Sequence, residues 1–121
     1  MKTEWLKLIS ETDTPTMRSG TEHRFIDVWM TVYDNRVFVR GSRTGLNTWF
    51  GAFEKEPNGQ IKIGDVIIPV IGKVPEDFKE INDKVTESFL AKYQPRYGSM
   101  ADGYKTPMIA NSTFELVIQE N

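Results

Sequence analysis

With 121 residues, 39% hydrophobic and 12% aromatic, the chain is long enough to close one core without staples and too apolar to stay disordered. It has no cysteine, which excludes disulfides, thiolate metal sites and a cysteine nucleophile and fits a reducing cytoplasm. Its 15 basic and 17 acidic residues are interspersed and give a formal charge of -2, so no electrostatic footprint marks duplex nucleic acid or a membrane surface as a partner.

Trp5, Leu8, Ile9 and Thr12 share one face at helical spacing, which predicts a short amphipathic helix over 3–11, ended by Asp13, Thr14 and Pro15. Glu4 and Lys7 interrupt it where a secretory signal would need an apolar stretch, so none is expected. Residues 16–23 read as a polar entry loop. It holds His23, the single histidine, so a histidine metal cluster or a Ser-His pair lacks its usual base.

In the run RFIDVWMTVY, Ile26, Val28, Met30 and Val32 alternate with Phe25, Asp27, Trp29, Thr31 and Tyr33, which predicts a strand with one apolar face. Asp34 and Asn35 tolerate positive φ and make a two-residue turn into RVFVRGS. Such a hairpin opposes Tyr33 to Arg36, Val32 to Val37, Met30 to Val39 and Trp29 to Arg40. Its other face carries Phe25, Trp29, Tyr33, Phe38 and Arg40, too aromatic to be left wet. A helix, a second subunit or a ligand has to cover it.

A further strand is expected to begin at Trp49-Phe50. Pro57-Asn58-Gly59 reads as a turn, and Gly64-Asp65 as a hairpin loop between Ile61/Ile63 and the run Val66 to Ile71. That run is far too short to cross a bilayer. A helix is predicted over 75–94, opened by Pro75, buried along Phe78, Ile81, Val85 and Phe89, and stopped by Pro95. Residues 95–112 show no period and read as a long working loop in which Tyr97 and Tyr104, with Tyr93 before it, could stack on a ring. Phe114, Leu116 and Ile118 alternate in a final strand over 113–119. Six short strands, over 24–72 and 113–119, and one long helix predict a single domain over 1–121 built on a barrel-like antiparallel sheet.

Arg40, Ser42, Arg43, Thr44 and Thr48 surround a glycine-containing strand end, with Lys55 a further cation. Guanidinium forks, hydroxyls and open backbone N–H groups suit a phosphate. A solvated strand end with ordinary turn residues accounts for the same pattern.

The segment IDVWMTVYDNRVFVRGSRTGLNTWFGAF resembles the uncharacterised bacterial family known as domain of unknown function 2255. That family reads as a tryptophan-containing strand, a turn, a "YVRS"-like strand and a tryptophan-aromatic start to the next segment. The counterparts are Trp29, Phe38-Val39-Arg40-Gly41-Ser42 and Trp49-Phe50, with similarity again at Tyr93, Tyr97-Gly98-Ser99 and Phe114-Glu115-Leu116. The resemblance implies a place beside the FMN-binding split-barrel superfamily, which includes pyridoxamine-phosphate oxidases and deazaflavin-dependent nitroreductases. It implies a mainly β, six-stranded antiparallel split barrel with flanking helices. It also implies a cytoplasmic homodimer that holds FMN or a deazaflavin and acts as an oxidoreductase on a small molecule. By that likeness Arg40, Ser42, Arg43 and Thr44 would be phosphate ligands and Trp49 would lie near the ring, although Gly41 interrupts the family's arginine-serine pair. The alternative is a cofactor-free split-barrel dimer, joined through the Trp29/Phe38 face, that binds a small molecule or a protein.

Overall fold

The computed structural model describes residues 2–41 and 49–120. Helix α1 (Lys2–Glu11) forms where the apolar period predicts it and buries Leu6 and Ile9. The expected entry loop instead contains strand β1 (Thr16–Ser19), whose Met17 and Ser19 are buried. Four residues with a single large apolar side chain carry no readable alternation. The 25–33 run is also interrupted: β2 is Ile26–Asp27 and β3 is Met30–Tyr33, with Val28 and Trp29 between them.

Asp34 and Asn35 have φ of 55° and 59°, the left-handed pair of a type I′ turn, and lead into β4 (Arg36–Val39). The observed register matches the expected one at Tyr33/Arg36, Val32/Val37 and Met30/Val39, while Trp29 and Arg40 fall beyond the ladder. The expected strand at Trp49 is helix α2 (Trp49–Lys55). Strands β5 (Asn58–Ile63) and β6 (Val66–Lys73) form the next hairpin, with Gly64 at φ 59°, and Asn58 and Gly59 belong to β5 rather than to a turn.

Helix α3 (Phe78–Tyr97) runs through Pro95. The proline sits in the last turn, where its missing N–H costs one bond and little helix remains to break. Residues 95–112 are largely helical too: α4 (Ser99–Asp102), a 3-10 turn (Gly103–Lys105) and α5 (Pro107–Ala110) precede β7 (Phe114–Ile118). No piece exceeds four residues, so none is long enough to show a helical period.

Among the described residues seven strands make one antiparallel sheet in the order β2-β1-β5-β6-β7-β4-β3, one strand more than expected. Its two edge strands, β2 and β3, are neighbours in the chain. The three Cα steps from Asp27 to Met30 reach at most about 11 Å. The sheet must therefore curl until its edges approach, which makes a split barrel with Val28-Trp29 across the split.

The apolar face of the β3–β4 hairpin faces the interior. Val28, Met30, Val37 and Val39 pack there with Leu6, Ile9, Met17, Ile61, Ile68, Leu116 and Phe53. Phe53 anchors α2 to the barrel. The Ser19 hydroxyl holds the far end of α2, lying 3.0 and 2.7 Å from the carbonyl oxygens of Ala52 and Glu56.

Outside the barrel, α3 lays Ile81, Val85, Phe89 and Tyr93 over Phe38. The chain's own helix thus covers Phe38 and packs against Tyr33 and Trp29, so a dimer cannot join through Phe38, which is wholly buried; Phe25 lies apart, beside Arg18 and Lys62. Arg36 locks this layer down: its guanidinium meets both carboxylate oxygens of Asp77 at 2.9 Å and those of Glu115 on β7 at 2.9 and 3.1 Å. That clamp holds the Asp77 carboxyl below the usual carboxylate range.

Candidate functional site

Strand alternation sends Val37 and Val39 into the barrel and Phe38 and Arg40 toward α3. Arg40 is 1% exposed, so its guanidinium must find partners inside the protein. It finds five. Nε donates to the Thr113 hydroxyl at 2.7 Å, Nη1 to the Thr86 hydroxyl at 2.7 Å and the Tyr104 carbonyl at 2.9 Å. Nη2 donates to the carbonyl and side-chain oxygens of Asn82 at 3.2 and 2.9 Å. Every N–H of the fork is used, and every acceptor is neutral. Burial without a carboxylate partner pulls the guanidinium down to about 10, with Tyr104 opposing the shift.

Arg40 and Gly41 lie at the base of a cleft of about 430 Å³. It is lined by Val28 and Trp29, at the split between β2 and β3, by Met100, Tyr104 and Ile109, from the helical pieces after α3, and by Thr14 and Asp27. The residues read as a loop thus build half the site.

Trp29 is held by aromatic packing. Its ring stacks on Tyr93 with centroids 4.3 Å apart and planes 7° from parallel, and Tyr97 and Tyr104 lie at 4.8 and 5.4 Å. The Tyr93 hydroxyl accepts from the Met30 N–H at 3.0 Å and donates to the Asp13 carbonyl at 2.7 Å. Burial raises the Tyr93 phenol well above its ordinary value and pushes that of Tyr104 up to about 12, against the pull of Arg40. Both are neutral hydrogen-bonding groups at neutral pH, and Asp27 is the carboxylate among the described residues lining the cleft.

Beneath Tyr93, the Lys92 ammonium donates to the carbonyls of Ile9 and Met30 at 2.9 and 2.7 Å. Burial brings Lys92 down to about 8, with Asp13 pulling the other way. Between about pH 8 and 10.5 the unfolded chain keeps this proton and the folded chain releases it, so this group makes the fold more stable as pH rises. Urea unfolding should show wild type gaining about 1–3 kcal/mol over Lys92→Met across that window. A flat or falling difference would contradict the burial of the charge.

Of the residues singled out in the sequence, the structure brings Arg40 to the cleft. Ser42, Arg43 and Thr44 lie outside the described residues. Trp49 opens α2, and its side chain lies outside the described residues as well. Tyr104, noted as a residue able to stack on a ring, lines the cleft, whereas Met100 and Ile109 were missed because no period marks their segment. Trp29 was legible as part of an aromatic face but not as a cleft wall. Among the described residues no His, Asp or Glu cluster could hold a metal, and no helix is long and apolar enough to cross a membrane.

Residues 9–116 match the family described as an uncharacterized protein conserved in bacteria, DUF2255. The chain belongs to that family. No curated protein matches it. Among solved structures it is similar to HutZ, the heme storage protein of Vibrio cholerae, at 13% identity and a TM-score of 0.64, covering 98% of this chain and 90% of HutZ. An FAD-binding protein of Mesorhizobium loti is 10% identical with a TM-score of 0.60, covering 98% of this chain and 89% of that one. A conserved hypothetical protein of Mycobacterium tuberculosis is 13% identical with a TM-score of 0.62, covering 99% and 81%. At such identities the likeness concerns the fold, and it places this DUF2255 member with split-barrel proteins.

Proposed function

We propose that the chain binds a flat, anionic cofactor of the flavin type, FMN or a deazaflavin, in the Trp29/Arg40 cleft and serves as an oxidoreductase on a small molecule. The observation that carries this reading is a buried guanidinium without a carboxylate partner at the base of an aromatic-walled cleft. A volume of about 430 Å³ lies within the range of small-molecule sites. Two structural neighbours named for their ligands, one heme and one FAD, take flat conjugated groups.

The described residues fit the ring end. Trp29 and Tyr104, whose ring centroids lie 5.4 Å apart, would lie together on one side of it, and Arg40 would act through its field, because its N–H groups are all engaged. The phosphate would fall to Ser42, Arg43 and Thr44, with Trp49 beside the ring. A bound flavin would supply the hydride transfer, leaving the protein to bind, orient and exclude water. A homodimer would use a surface other than the one under α3; Val66 and Ile67 on β6 are exposed apolar candidates.

An absorption spectrum of the isolated protein, followed by titration with FMN and a deazaflavin while Trp fluorescence is recorded, tests the reading. A flavin spectrum or saturable quenching is expected. An unchanged spectrum with both compounds would leave the cofactor-free binding module, which is also consistent with Arg40 spending all five donors on its own fold.

A further inference from the structure

Met17 and Met30 lie in the barrel core with no exposed surface, where flexible apolar side chains are expected. Met100 is the opposite case. It is 69% exposed, more than any other large apolar side chain among the described residues, and it lines the Trp29/Arg40 cleft.

The local fold keeps it there. Helix α3 ends at Tyr97, Gly98 turns the chain at φ 56°, and the four residues of α4 bury Ala101 against the α3 layer. Gln94 on α3 donates to the Asp102 carboxylate at 2.8 Å, a second tie across the same junction. With Ala101 turned inward its neighbour Met100 is left outside, and drawing Met100 into the core would break both ties. An unbranched thioether is soft, changes shape cheaply and makes favourable contacts with aromatic rings. A flat ligand in the cleft would therefore take up part of this exposed surface. The same exposure opens the Met100 sulfur to oxidants, from which Met17 and Met30 are shielded.

We infer that Met100 is an oxidation-sensitive site that sets the ligand affinity of the cleft: its thioether contributes to binding, and its sulfoxide opposes it. This rests on the reading of the cleft as a ring site. The oxidant is a hydroperoxide, hydrogen peroxide in the simplest case. The sulfur gives an electron pair to one peroxide oxygen and the O–O bond breaks. The second oxygen takes the proton of the first and leaves as water, so the sulfur loses two electrons and the peroxide gains them. Enzymatic reduction restores the thioether, which makes the change reversible. The new oxygen is a hydrogen-bond acceptor, and Arg40, with all five N–H groups engaged, has none to give it. It keeps its hydration only while the cleft is open, so a ring that displaces this water binds less well.

Peroxide treatment with peptide mass mapping, and titrations with FMN and a deazaflavin before and after it, test this. Met100 should gain one oxygen at least about tenfold faster than Met17 or Met30, and bound ligand should slow the reaction. Oxidised wild type should bind the flavin about tenfold more weakly, ~1.4 kcal/mol. Met100→Leu, whatever its starting affinity, should keep that affinity through the same treatment to within about twofold. Position 100 is exposed, so the variant should fold, and circular dichroism checks this. Three results would each overturn the inference while leaving the ring site standing: Met100 oxidising no faster than Met17 and Met30, an affinity unchanged by its oxidation, or a loss that Met100→Leu shares. Failure of both flavins to bind the untreated protein would overturn both.

Discussion

Arg40→Met should lower stability by about 2–4 kcal/mol, and by more than Arg40→Lys does. Two effects oppose each other. Methionine fills much of the volume and removes a buried charge that has no carboxylate to offset its desolvation, and such a replacement is sometimes neutral or favourable. Against this, the Tyr104 carbonyl, the Asn82 oxygens and the hydroxyls of Thr86 and Thr113 all lose a donor in a site with little water. Each orphaned acceptor costs about 1–3 kcal/mol. Asn82 can turn toward solvent and the threonine hydroxyls keep their own acceptors, Asn82 O and Ala110 O, so the Tyr104 carbonyl and the lost Thr113 contact dominate. The net favours the arginine. A melting temperature lower by roughly 10 °C is the readout.

Arg40→Lys keeps the charge but replaces a planar fork of five donors with three on a flexible stem, and so keeps some of the network. It should retain affinity for an anionic flavin to within a few fold, while Arg40→Met should lose about tenfold, ~1.4 kcal/mol. Equal affinity in the two variants would mean that the charge at the cleft base does not act on the ligand. A methionine variant as stable as wild type would mean that desolvation, rather than the five bonds, decides the energetics there.

The core was legible because its signals are local and periodic. The β3–β4 register follows from Asp34-Asn35 and the alternating apolar set, since a one-residue slip would turn apolar residues of the pairs Met30/Val39 and Val32/Val37 away from the interior. The buried stripe of α3 follows from Ile81, Val85 and Phe89 at helical spacing. What escaped had no period to read. Strand β1 is four residues long, and its only large apolar side chain is Met17. The pieces that supply Met100, Tyr104 and Ile109 are shorter than a helical repeat can reveal. Trp49-Phe50 reads equally well as strand or helix, because a short apolar run does not distinguish them.

The site was half legible for a different reason. Arg40 is a phosphate-suited residue by type, but its direction is set by the parity of β4, which turns it under α3 rather than outward. Its partners at 82, 86, 104 and 113 come from distant parts of the chain, and no local pattern joins them.

Gly72→Ala should cost about 3 kcal/mol, although the change adds one methyl group. A Cβ at position 72 would stand 2.5 Å from the Phe114 ring and 2.7 Å from the Phe53 ring. Both rings are buried and packed on each other with centroids 5.7 Å apart, so neither can swing into solvent. Gly59 is similar, with the Phe53 ring 2.6 Å from its would-be Cβ and the Arg18 carbonyl closer still. The two glycines are the room that lets Phe53 enter the barrel. If the rings are the source of the cost, shortening one of them should relieve it: Gly72→Ala in a Phe53→Leu background should cost at least about 1 kcal/mol less than in wild type. At Gly59 the relief should be smaller, because a backbone carbonyl on the paired strand cannot be trimmed. Strict additivity at Gly72 would exclude the ring contact. Phe53 is also the anchor of α2, and α2 begins at Trp49, directly after the stretch that carries Ser42, Arg43 and Thr44. A displaced Phe53 shifts the start of that helix, so Gly72→Ala should weaken flavin binding, measured well below its melting temperature, without touching a single residue of the cleft.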